Sequence, residues 1–389
     1  MSDDEPPTAR RLVDRDFVAT TAAMTSFFVA VGMGLTLVPR FVVDELGETN
    51  RLVGWSAAAY SVLAVACRPL LTAGVARWGN RSVLRIGAIG GAVGFALHAG
   101  VGSSAALLVV RGITGAFEAL LYVAAANLIS ERAPAERRAE AISYHSVGLF
   151  LALGVGPILG EVFVGASWTR AGFAVAGLFA LAGGVWSLAV ADDAPAPGTG
   201  TRTKGRTFHR GGALLGVVLA LPMFGYQGWS SFLKLRADEV GASAGALFAT
   251  YSVLTLLVRL FGARLPERLG LTRAAPIATA AMAVGLAMAG TVDGAVGMWL
   301  AVVVISVAIS LLYPSLIALA ARAAGDPLER AAAISTFTAF FEIGAAAGGA
   351  VLGPVADAGG YQTAYLVGAV TAAAGVVVYR ALVLDRIAR

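Results

Sequence analysis

The sequence contains few of the residues from which proteins build metal sites or nucleophilic active sites. It has one cysteine, Cys67, and three histidines among 389 residues, which excludes an internal disulfide and a cysteine metal cluster. His98 and His145 are expected near opposite membrane faces, and His209 lies in a polar segment. The patterns HExxH, GxSxG and GxxxxGK[ST] are missing. We therefore expect no metal, no cofactor and no enzyme activity, and no direct use of ATP.

Charge is scarce as well, and this places the chain in a membrane. Charged residues make up 14% of the sequence and hydrophobic residues 58%, too apolar a balance for a soluble protein of this size. Runs of roughly 20 apolar residues, long enough to cross a hydrocarbon core about 30 Å thick, recur along the chain. The predicted fold class is an all-α membrane protein with twelve transmembrane spans, at residues 17–39, 52–76, 82–101, 105–130, 139–163, 169–190, 211–233, 242–265, 271–292, 295–321, 332–356 and 361–383.

The basic residues predict the orientation of these spans. The net charge is +5, but Lys and Arg concentrate in the short loops on one side of a twelve-span weave, the pattern that keeps loops in the cytoplasm. This distribution argues against a nucleic-acid partner. The polar residues 1–16 carry no cleavage site of the signal-peptide kind, so the first span is expected to remain as an anchor. Both termini are predicted to be cytoplasmic, in a monomer of the plasma membrane surrounded by lipid.

The chain also contains an internal repeat. Residues 60–79, YSVLAVACRPLLTAGVARWG, and residues 251–270, YSVLTLLVRLFGARLPERLG, share Tyr, Ser, Val, Leu, two Arg and Gly at a constant offset of 191. Each copy holds six spans, an even number, so the copies form a parallel repeat. The predicted parts are a tail at 1–16, a six-helix lobe at 17–190, a cytoplasmic linker at 191–210, a second six-helix lobe at 211–384 and a tail at 385–389. A seam between two such lobes suits transport.

A loop motif in the first copy gives the chain a resemblance to a known family. Transporters of the major facilitator superfamily of the drug and metabolite efflux type carry R-P-x-x-G-x-x-x-D-R-x-G-R-R after the second span, and the whole chain looks like such a transporter. Ala76 stands where that motif has its acidic residue. The residues that match are Arg68, Pro69, Arg77, Gly79 and Arg81 in the first copy, with Arg259, Glu267, Arg268 and Gly270 retained in the second.

The physical role of this loop can be read from its residue types. Glycine permits a tight turn, and arginines can pair with carboxylates or helix C-termini, which would hold the cytoplasmic side shut as a gate. The alternative is that these arginines serve orientation alone. Arg68 and Arg259 lie deeper than the loop, where a structural or gating role is favoured unless the substrate is an anion.

A second motif lies in the fifth predicted span. The segment ALGVGPILGE resembles the G-x-x-x-G-P-x-x-G-G pattern of exporters in the same superfamily, with Ala152, Gly156, Pro157 and Gly160 in place and Glu161 instead of the last glycine. Small residues allow close helix contact, and proline bends the helix. The resemblance implies export rather than uptake. The alternative is ordinary glycine-rich packing.

Three ionisable residues fall inside predicted spans. Arg111 and Glu118 are nearly two helical turns apart on one face of the fourth span, and Glu342 lies near the middle of the eleventh. Charges are costly in lipid, so these side chains should face an aqueous cavity between the lobes. Arg111 and Gly115 match R-x-x-x-G of the family, whose arginine is associated with proton coupling. We predict that Glu118 and Glu342 carry the proton, with Arg111 as the nearest counter-charge to Glu118.

Two other interpretations of these charges stay open. Glu118 and Arg111 could form a permanent structural pair, or either carboxylate could bind a cationic substrate. Other polar residues of the spans are candidates for lining a substrate cavity: Thr114, Tyr122, Tyr226, Gln227, Ser310, Tyr313 and Thr338.

The predicted function is proton-coupled export of a small amphipathic or hydrophobic compound by alternating access, with the substrate and protons as partners. The first alternative is a facilitator or proton symporter that imports a polar metabolite. The second, from another class, is a membrane sensor or scaffold that transports nothing.

Overall fold

The computed structural model describes residues 13–134, 137–191, 208–262, 265–325 and 327–381. The predicted tail at 385–389, residues 1–12 of the N-terminal tail and residues 192–207 of the linker lie outside the described residues. Within the described ranges, all regular structure is helical and no strand is present.

In the described part of the chain, twelve α-helices follow one another, and a short π-helical turn at Phe41–Glu45 continues the first of them. Their order and bounds are α1 Arg15–Arg40, α2 Asn50–Ala66, α3 Arg68–His98, α4 Ser104–Arg132, α5 Arg138–Gly165, α6 Thr169–Leu188, α7 Arg210–Glu239, α8 Ala244–Phe261, α9 Leu265–Leu269, α10 Leu271–Thr291, α11 Gly294–Arg322 and α12 Pro327–Tyr379.

Short polar side chains start several of these helices. Asp14 precedes α1 and accepts a hydrogen bond from the Phe17 N–H at 2.8 Å. Ser103 accepts from the Ala106 N–H at 3.3 Å before α4, and Ser243 precedes α8. Each side chain satisfies one of the backbone N–H groups that have no partner within the first turn. Local sequence thus fixes where apolar runs become helices.

These helices are not identical to the twelve predicted spans. Nine helices of the described residues are long and apolar enough to cross a membrane, or ten if α2 and α3, bent by 45° at Cys67, form one broken span. The span predicted at 332–356 and residues 361–379 of the next predicted span lie in α12, which is interrupted at Gly360 by a φ of 79°. Glycine adopts this left-handed backbone without strain. The chain therefore turns at Gly360 and is helical on both sides of it.

Most helix contacts lie within one half of the chain. In the first half, residues 13–191, α1 packs on α5 and α6, and α3 packs on α4 and α6; in the second half, residues 208–381, α12 packs on α7 and α10, and α11 on α10 and α8. Contacts between the halves are made by α2 with α12, by α5 with α8 and by α1 with α7. We call the end where α1 finishes and α2 and α8 begin the Arg40 end, and the opposite end the linker end.

Glycines allow the closest of these helix contacts. A Cβ on Gly156 of α5 would lie 2.7 Å from Gly32 Cα of α1, and one on Gly160 would lie 2.7 Å from the Met33 carbonyl oxygen. A Cβ on Gly32 would meet the carbonyl of Ala152 and the ring of Pro157 at 3.0 Å. The small-residue segment that resembles an exporter motif therefore packs against α1 within its own chain half.

Gly115 on α4 provides a test of this close packing. Alanine in place of a mid-helix glycine normally stabilises a helix by about 1 kcal/mol, but a Cβ on Gly115 would lie 2.3 Å from the Tyr60 carbonyl oxygen of α2. Gly115→Ala is expected to cost about 1–3 kcal/mol through overpacking, measured as a lower midpoint of thermal unfolding in detergent.

The matched control is Gly184 of α6, where an added Cβ would make only ordinary contacts, the nearest at 3.6 Å to Ile89. Gly184→Ala should leave the unfolding midpoint unchanged or raise it. Equal midpoints for the two variants would contradict the close contact between α2 and α4.

Candidate functional site

Two carboxylates from different chain halves lie within electrostatic range of each other in the interior. Glu118 lies on α4 and Glu342 on α12, and the two interact electrostatically. Glu118 Oε2 is buried and has no hydrogen-bond partner among the described residues. Ser61 of α2 and Arg68 of α3 face the Glu342 carboxylate. The structure therefore places the two predicted proton carriers in one cluster.

Phenols and a second guanidinium complete this cluster. Tyr122 of α4 interacts electrostatically with both carboxylates and with Arg259 of α8. Tyr313 of α11 interacts with Tyr122, Arg68, Arg259 and Glu342. Tyr122 is 44% exposed although it lies deep within its helix, so open space adjoins the cluster there.

Aromatic rings surround these polar groups. The Arg259 guanidinium carbon lies 4.7 Å from the centre of the Phe150 ring. Phe28 packs edge-on against Tyr122 with ring centres 5.9 Å apart, and Phe341 packs edge-on against Tyr313 at 6.3 Å. A guanidinium over a ring face is attracted by the ring quadrupole. The cluster is therefore amphipathic.

A second aromatic group lies on α7 and α8. The Tyr226 hydroxyl donates to the Tyr251 hydroxyl at 3.0 Å, and both rings pack against Trp229, which is fully buried. The Gln227 amide donates to Ser231 Oγ at 2.9 Å. Tyr226 and Gln227 are half-buried, which keeps both as candidates for lining a cavity.

Arg68 bridges the two chain halves. Its guanidinium donates to the Thr338 hydroxyl at 3.2 Å and to the Thr338 carbonyl at 3.4 Å. Because Arg68 also faces Glu342, it connects α3, α12 and the carboxylate cluster. Its counterpart in the repeat, Arg259, lies at the same cluster from the other half.

Arg111 is not the partner of Glu118. Its guanidinium carbon lies 4.3 Å from the centre of the Tyr60 ring on α2, and Arg111 Nε has no hydrogen-bond partner in the described part of the chain. The charged group that interacts with Glu118 is Glu342. The guanidinium of Arg111 therefore lies against an aromatic ring of α2.

Two predicted cavity residues are buried in helix packing instead. Thr114 is fully buried, donates to the Val110 carbonyl at 2.7 Å and faces Gly94 of α3. Ser310 is 4% exposed and donates to the Ser306 carbonyl at 2.6 Å. A hydroxyl bonded to its own helix is satisfied without water, so a polar residue type in a span did not indicate a cavity at these positions.

Glu161 contacts α8 rather than another part of α5. Its carboxylate accepts hydrogen bonds from the Ser243 hydroxyl at 2.7 Å and from the Gly245 N–H at 2.8 Å. Lys234 of α7, with a side chain 6% exposed, donates to Glu161 at 3.1 Å and to Asp238 at 2.8 Å. This departure from the exporter pattern is thus an inter-helix contact.

The loop-motif residues occupy the linker end. Gly79 and Gly270 both have left-handed backbones, with φ of 77° and 78°, at equivalent positions of the repeat. Arg81 donates to the carbonyl of Leu188, the last residue of α6, at 3.5 Å. The side chain of Arg77 lies over Trp78 with 5.7 Å between the guanidinium carbon and the ring centre. Glu267 and Arg268 are exposed on α9, and neither forms an ion pair with a described residue.

Four residues that contribute to these contacts were missed in the sequence. Tyr60 and Tyr251 open the two copies of the repeat, and Ser61 follows Tyr60, so the repeat itself was the signal that could have found them. Lys234 could have been found by a different signal, since it is a lysine directly after the span predicted at 211–233.

No group of three or more His, Cys, Asp or Glu side chains that could hold a metal occurs among the described residues.

Sequence comparison supplies a family for this arrangement. The profile of the Major Facilitator Superfamily matches residues 18–326 and 211–388. The chain is 27% identical over 368 residues to an uncharacterized MFS-type transporter of Burkholderia mallei (strain SAVP1), covering 90% of this chain and 87% of that protein. The same values hold for an uncharacterized MFS-type transporter of Burkholderia pseudomallei (strain 668).

Solved structures share the fold at low sequence identity. The nucleoside transporter NupG superposes with a TM-score of 0.77 at 14% identity, covering 94% of this chain and 98% of NupG. A POT family transporter in complex with a thioalcohol conjugated peptide gives 0.78 at 13% identity over 95% and 96% of the two chains. The human organic anion transporter MFSD10 gives 0.69 at 18% identity over 94% and 99%.

Proposed function

The chain belongs to the Major Facilitator Superfamily, and we propose on that basis that it is a proton-coupled secondary transporter which exports a small amphipathic or hydrophobic compound. It is a multi-pass membrane protein of the MFS transporter type, and such transporters are not enzymes. Direction, coupling ion and substrate class are the parts proposed here.

The observation that carries the proposal is the electrostatic interaction between Glu118 and Glu342, one from each chain half, in one cluster of polar groups. Two carboxylates that share a site repel when both are ionised, so a proton on one of them relieves the repulsion. A movement that separates the halves changes the surroundings of both carboxylates at once. Proton uptake and release would thereby follow the conformational change.

We further propose twelve spans in two six-helix lobes, with alternating access at the seam between them. The inter-half contacts of α2 with α12 and of α5 with α8 support such a seam, as does the break of α12 at Gly360, which divides it between two predicted spans. The protein would work as a monomer in the plasma membrane, with both termini in the cytoplasm, as the positions of Lys and Arg predict.

The lining of the cluster supports an amphipathic substrate. Phe28, Phe341 and the phenols of Tyr122 and Tyr313 offer ring faces beside hydroxyl groups. Export rests on the likeness of residues 152–161 to the exporter motif. The loop residues Gly79, Arg81, Glu267, Arg268 and Gly270 are proposed to act at the gate on the linker end, together with Arg68, Arg77 and Arg259.

Import of a polar metabolite is the second candidate, and the guanidinium groups of the cluster favour it. Arg259 forms no ion pair within the described part of the chain, and its Nε has no hydrogen-bond partner there. A substrate carboxylate could occupy that position. A polar anion rather than a hydrophobic compound would then be carried together with protons.

Inside-out vesicles with an acidic lumen and a trapped pH-sensitive dye distinguish the two directions. Compounds are first chosen by their stabilisation of the purified protein against heat. For an exporter, adding such a compound outside should make the lumen more alkaline, since protons leave as the compound enters. A symporter should instead carry protons in the same direction as the compound, so that adding the compound outside makes the lumen more acidic. No proton or substrate movement in either orientation would support a sensor or scaffold.

A further inference from the structure

A carboxylate of the first half caps a helix of the second half at the Arg40 end. Glu161 on α5 accepts hydrogen bonds from the backbone N–H groups of Ala244 at 3.2 Å and Gly245 at 2.8 Å. It also accepts one from the Ser243 hydroxyl at 2.7 Å. These N–H groups begin α8 and have no partner within their own helix. Both oxygens of Glu161 are used.

A carboxylate of the second half does the same for a helix of the first. Asp357 on α12 accepts from the backbone N–H of Asn50 at 2.8 Å through one oxygen and from that of Arg51 at 3.1 Å through the other. These two groups begin α2. The Tyr361 hydroxyl, also on α12, donates to the Asn50 side chain at 3.0 Å. The roles of the two halves are exchanged relative to the first contact: here the second half provides the carboxylate and the first half provides the helix.

The internal repeat relates the two contacts. The helices α2 and α8 contain the repeated segments that begin at Tyr60 and Tyr251, and both are capped at their first N–H groups. Glu161 and Asp357 lie in corresponding parts of the two copies, apart from small differences in loop length. The arrangement therefore has the approximate two-fold symmetry of the chain itself.

Both contacts lie where the halves approach most closely. A Cβ on Gly54 of α2 would lie 2.2 Å from the Gly349 carbonyl oxygen of α12, and one on Gly245 of α8 would lie 3.0 Å from Ile158 Cα of α5. Next to them, Arg40 of α1 pairs with Asp238 of α7 at 2.6 Å. Opening the Arg40 end would separate both carboxylates from their helices.

We propose that Glu161 and Asp357 form a two-part lock that holds the Arg40 end closed, and this inference rests on the alternating access proposed above. A carboxylate at a helix N-terminus binds the uncompensated N–H groups and interacts favourably with the helix dipole. When the Arg40 end opens, these hydrogen bonds break, and the N–H groups and both carboxylates must be hydrated by water. The lock thereby biases the transporter towards the conformation open at the linker end.

The test measures access to a buried reporter from the Arg40 side. In a Cys67→Ser background, Ser252→Cys places a thiol on α8 at a position 3% exposed, where the side chain faces Gly154 of α5. A membrane-impermeant methanethiosulfonate reagent is added from the Arg40 side. Glu161→Gln combined with Asp357→Asn should raise the labelling rate at least about tenfold, because an amide offers one acceptor oxygen where the carboxylate offers two.

A second reporter separates opening from unfolding. Ser335→Cys on α12 is exposed and lies on the same helix face as Thr338, near the linker end. If the Arg40 end opens as the linker end closes, labelling of Ser335→Cys from the linker side should fall in the double variant. An unfolded protein would label quickly at both positions.

The control variant is Glu239→Gln, which removes one carboxylate charge at the same end. Glu239 pairs with Arg236 of its own helix at 2.9 Å, so labelling of Ser252→Cys should stay at the parent rate. An unchanged rate in the double variant, or an equal increase in Glu239→Gln, would overturn the lock. The assay needs no substrate and no pH gradient. The labelling rates would therefore still test the lock if the proposed transport function were wrong.

Discussion

Replacing either Glu118 or Glu342 by glutamine is expected to reduce proton-driven substrate accumulation by roughly 5- to 150-fold, the range of ordinary coupling between two ligands. Glutamine keeps the shape of the side chain but cannot gain or lose a proton. A chain half could then rearrange without carrying a proton, so that the pH gradient no longer drives the substrate. The two residues interact electrostatically, so the double variant should lose little more than either single one.

The pH dependence of transport gives the sign of this effect. In the parent protein, raising the lumen pH of inside-out vesicles removes the gradient that drives an exporter, so accumulation of the compound should fall. In the double variant, neither carboxylate of the cluster can gain or lose a proton, so the residual rate should not change with pH. The measurement is uptake of a compound identified by thermal stabilisation, at two lumen pH values, in parent and variant vesicles.

Two further measurements make this prediction specific. Exchange of labelled for unlabelled substrate without a pH gradient should survive in Glu118→Gln, because it needs no net proton movement. Glu140→Gln is the matched control, since Glu140 pairs with Arg137 in an exposed contact at 2.8 Å. Parent-like accumulation and parent-like pH dependence in both cluster variants would remove Glu118 and Glu342 from the coupling mechanism.

The apolar pattern was sufficient for most helix positions but not for their breaks. The spans predicted at 271–292 and 295–321 correspond to α10 and α11, with ends that differ by at most one residue. Hydropathy does not report backbone direction, so it could not show the bend at Cys67 or the continuous helical pattern on both sides of Gly360. Nor could it confirm the count of twelve spans or the pairing of the two lobes.

At the candidate site, the sequence predicted which residues matter but not which groups they contact. A carboxylate in an apolar span must find a polar environment, and this alone identified Glu118 and Glu342. Which group each one meets depends on the neighbouring helices, and these are not visible in a single sequence. Arg111 and Thr114 share a helix with Glu118, yet the first lies over Tyr60 and the second packs against Gly94.

Lys234 is expected to contribute more to stability than any other single charge outside the carboxylate cluster. Its side chain is 6% exposed and lies 3.1 Å from Glu161 and 2.8 Å from Asp238. Lys234→Met keeps the apolar stem but leaves two partly buried carboxylates next to each other without their shared cation. Removing one partner of a buried pair costs about 3–5 kcal/mol.

The expected loss for Lys234→Met lies at the lower end of that range, because Glu161 keeps the N–H groups of α8 and Asp238 keeps Arg40. It should appear as a lower midpoint of thermal unfolding in detergent. Arg137→Met is the control, since Arg137 and Glu140 form an exposed pair and such pairs contribute about 0–1 kcal/mol. Equal midpoints for the two variants would mean that water already reaches Lys234 and that the Arg40 end is open in solution. The burial of this one ammonium group therefore reports on the same closed end that the capping carboxylates are proposed to hold.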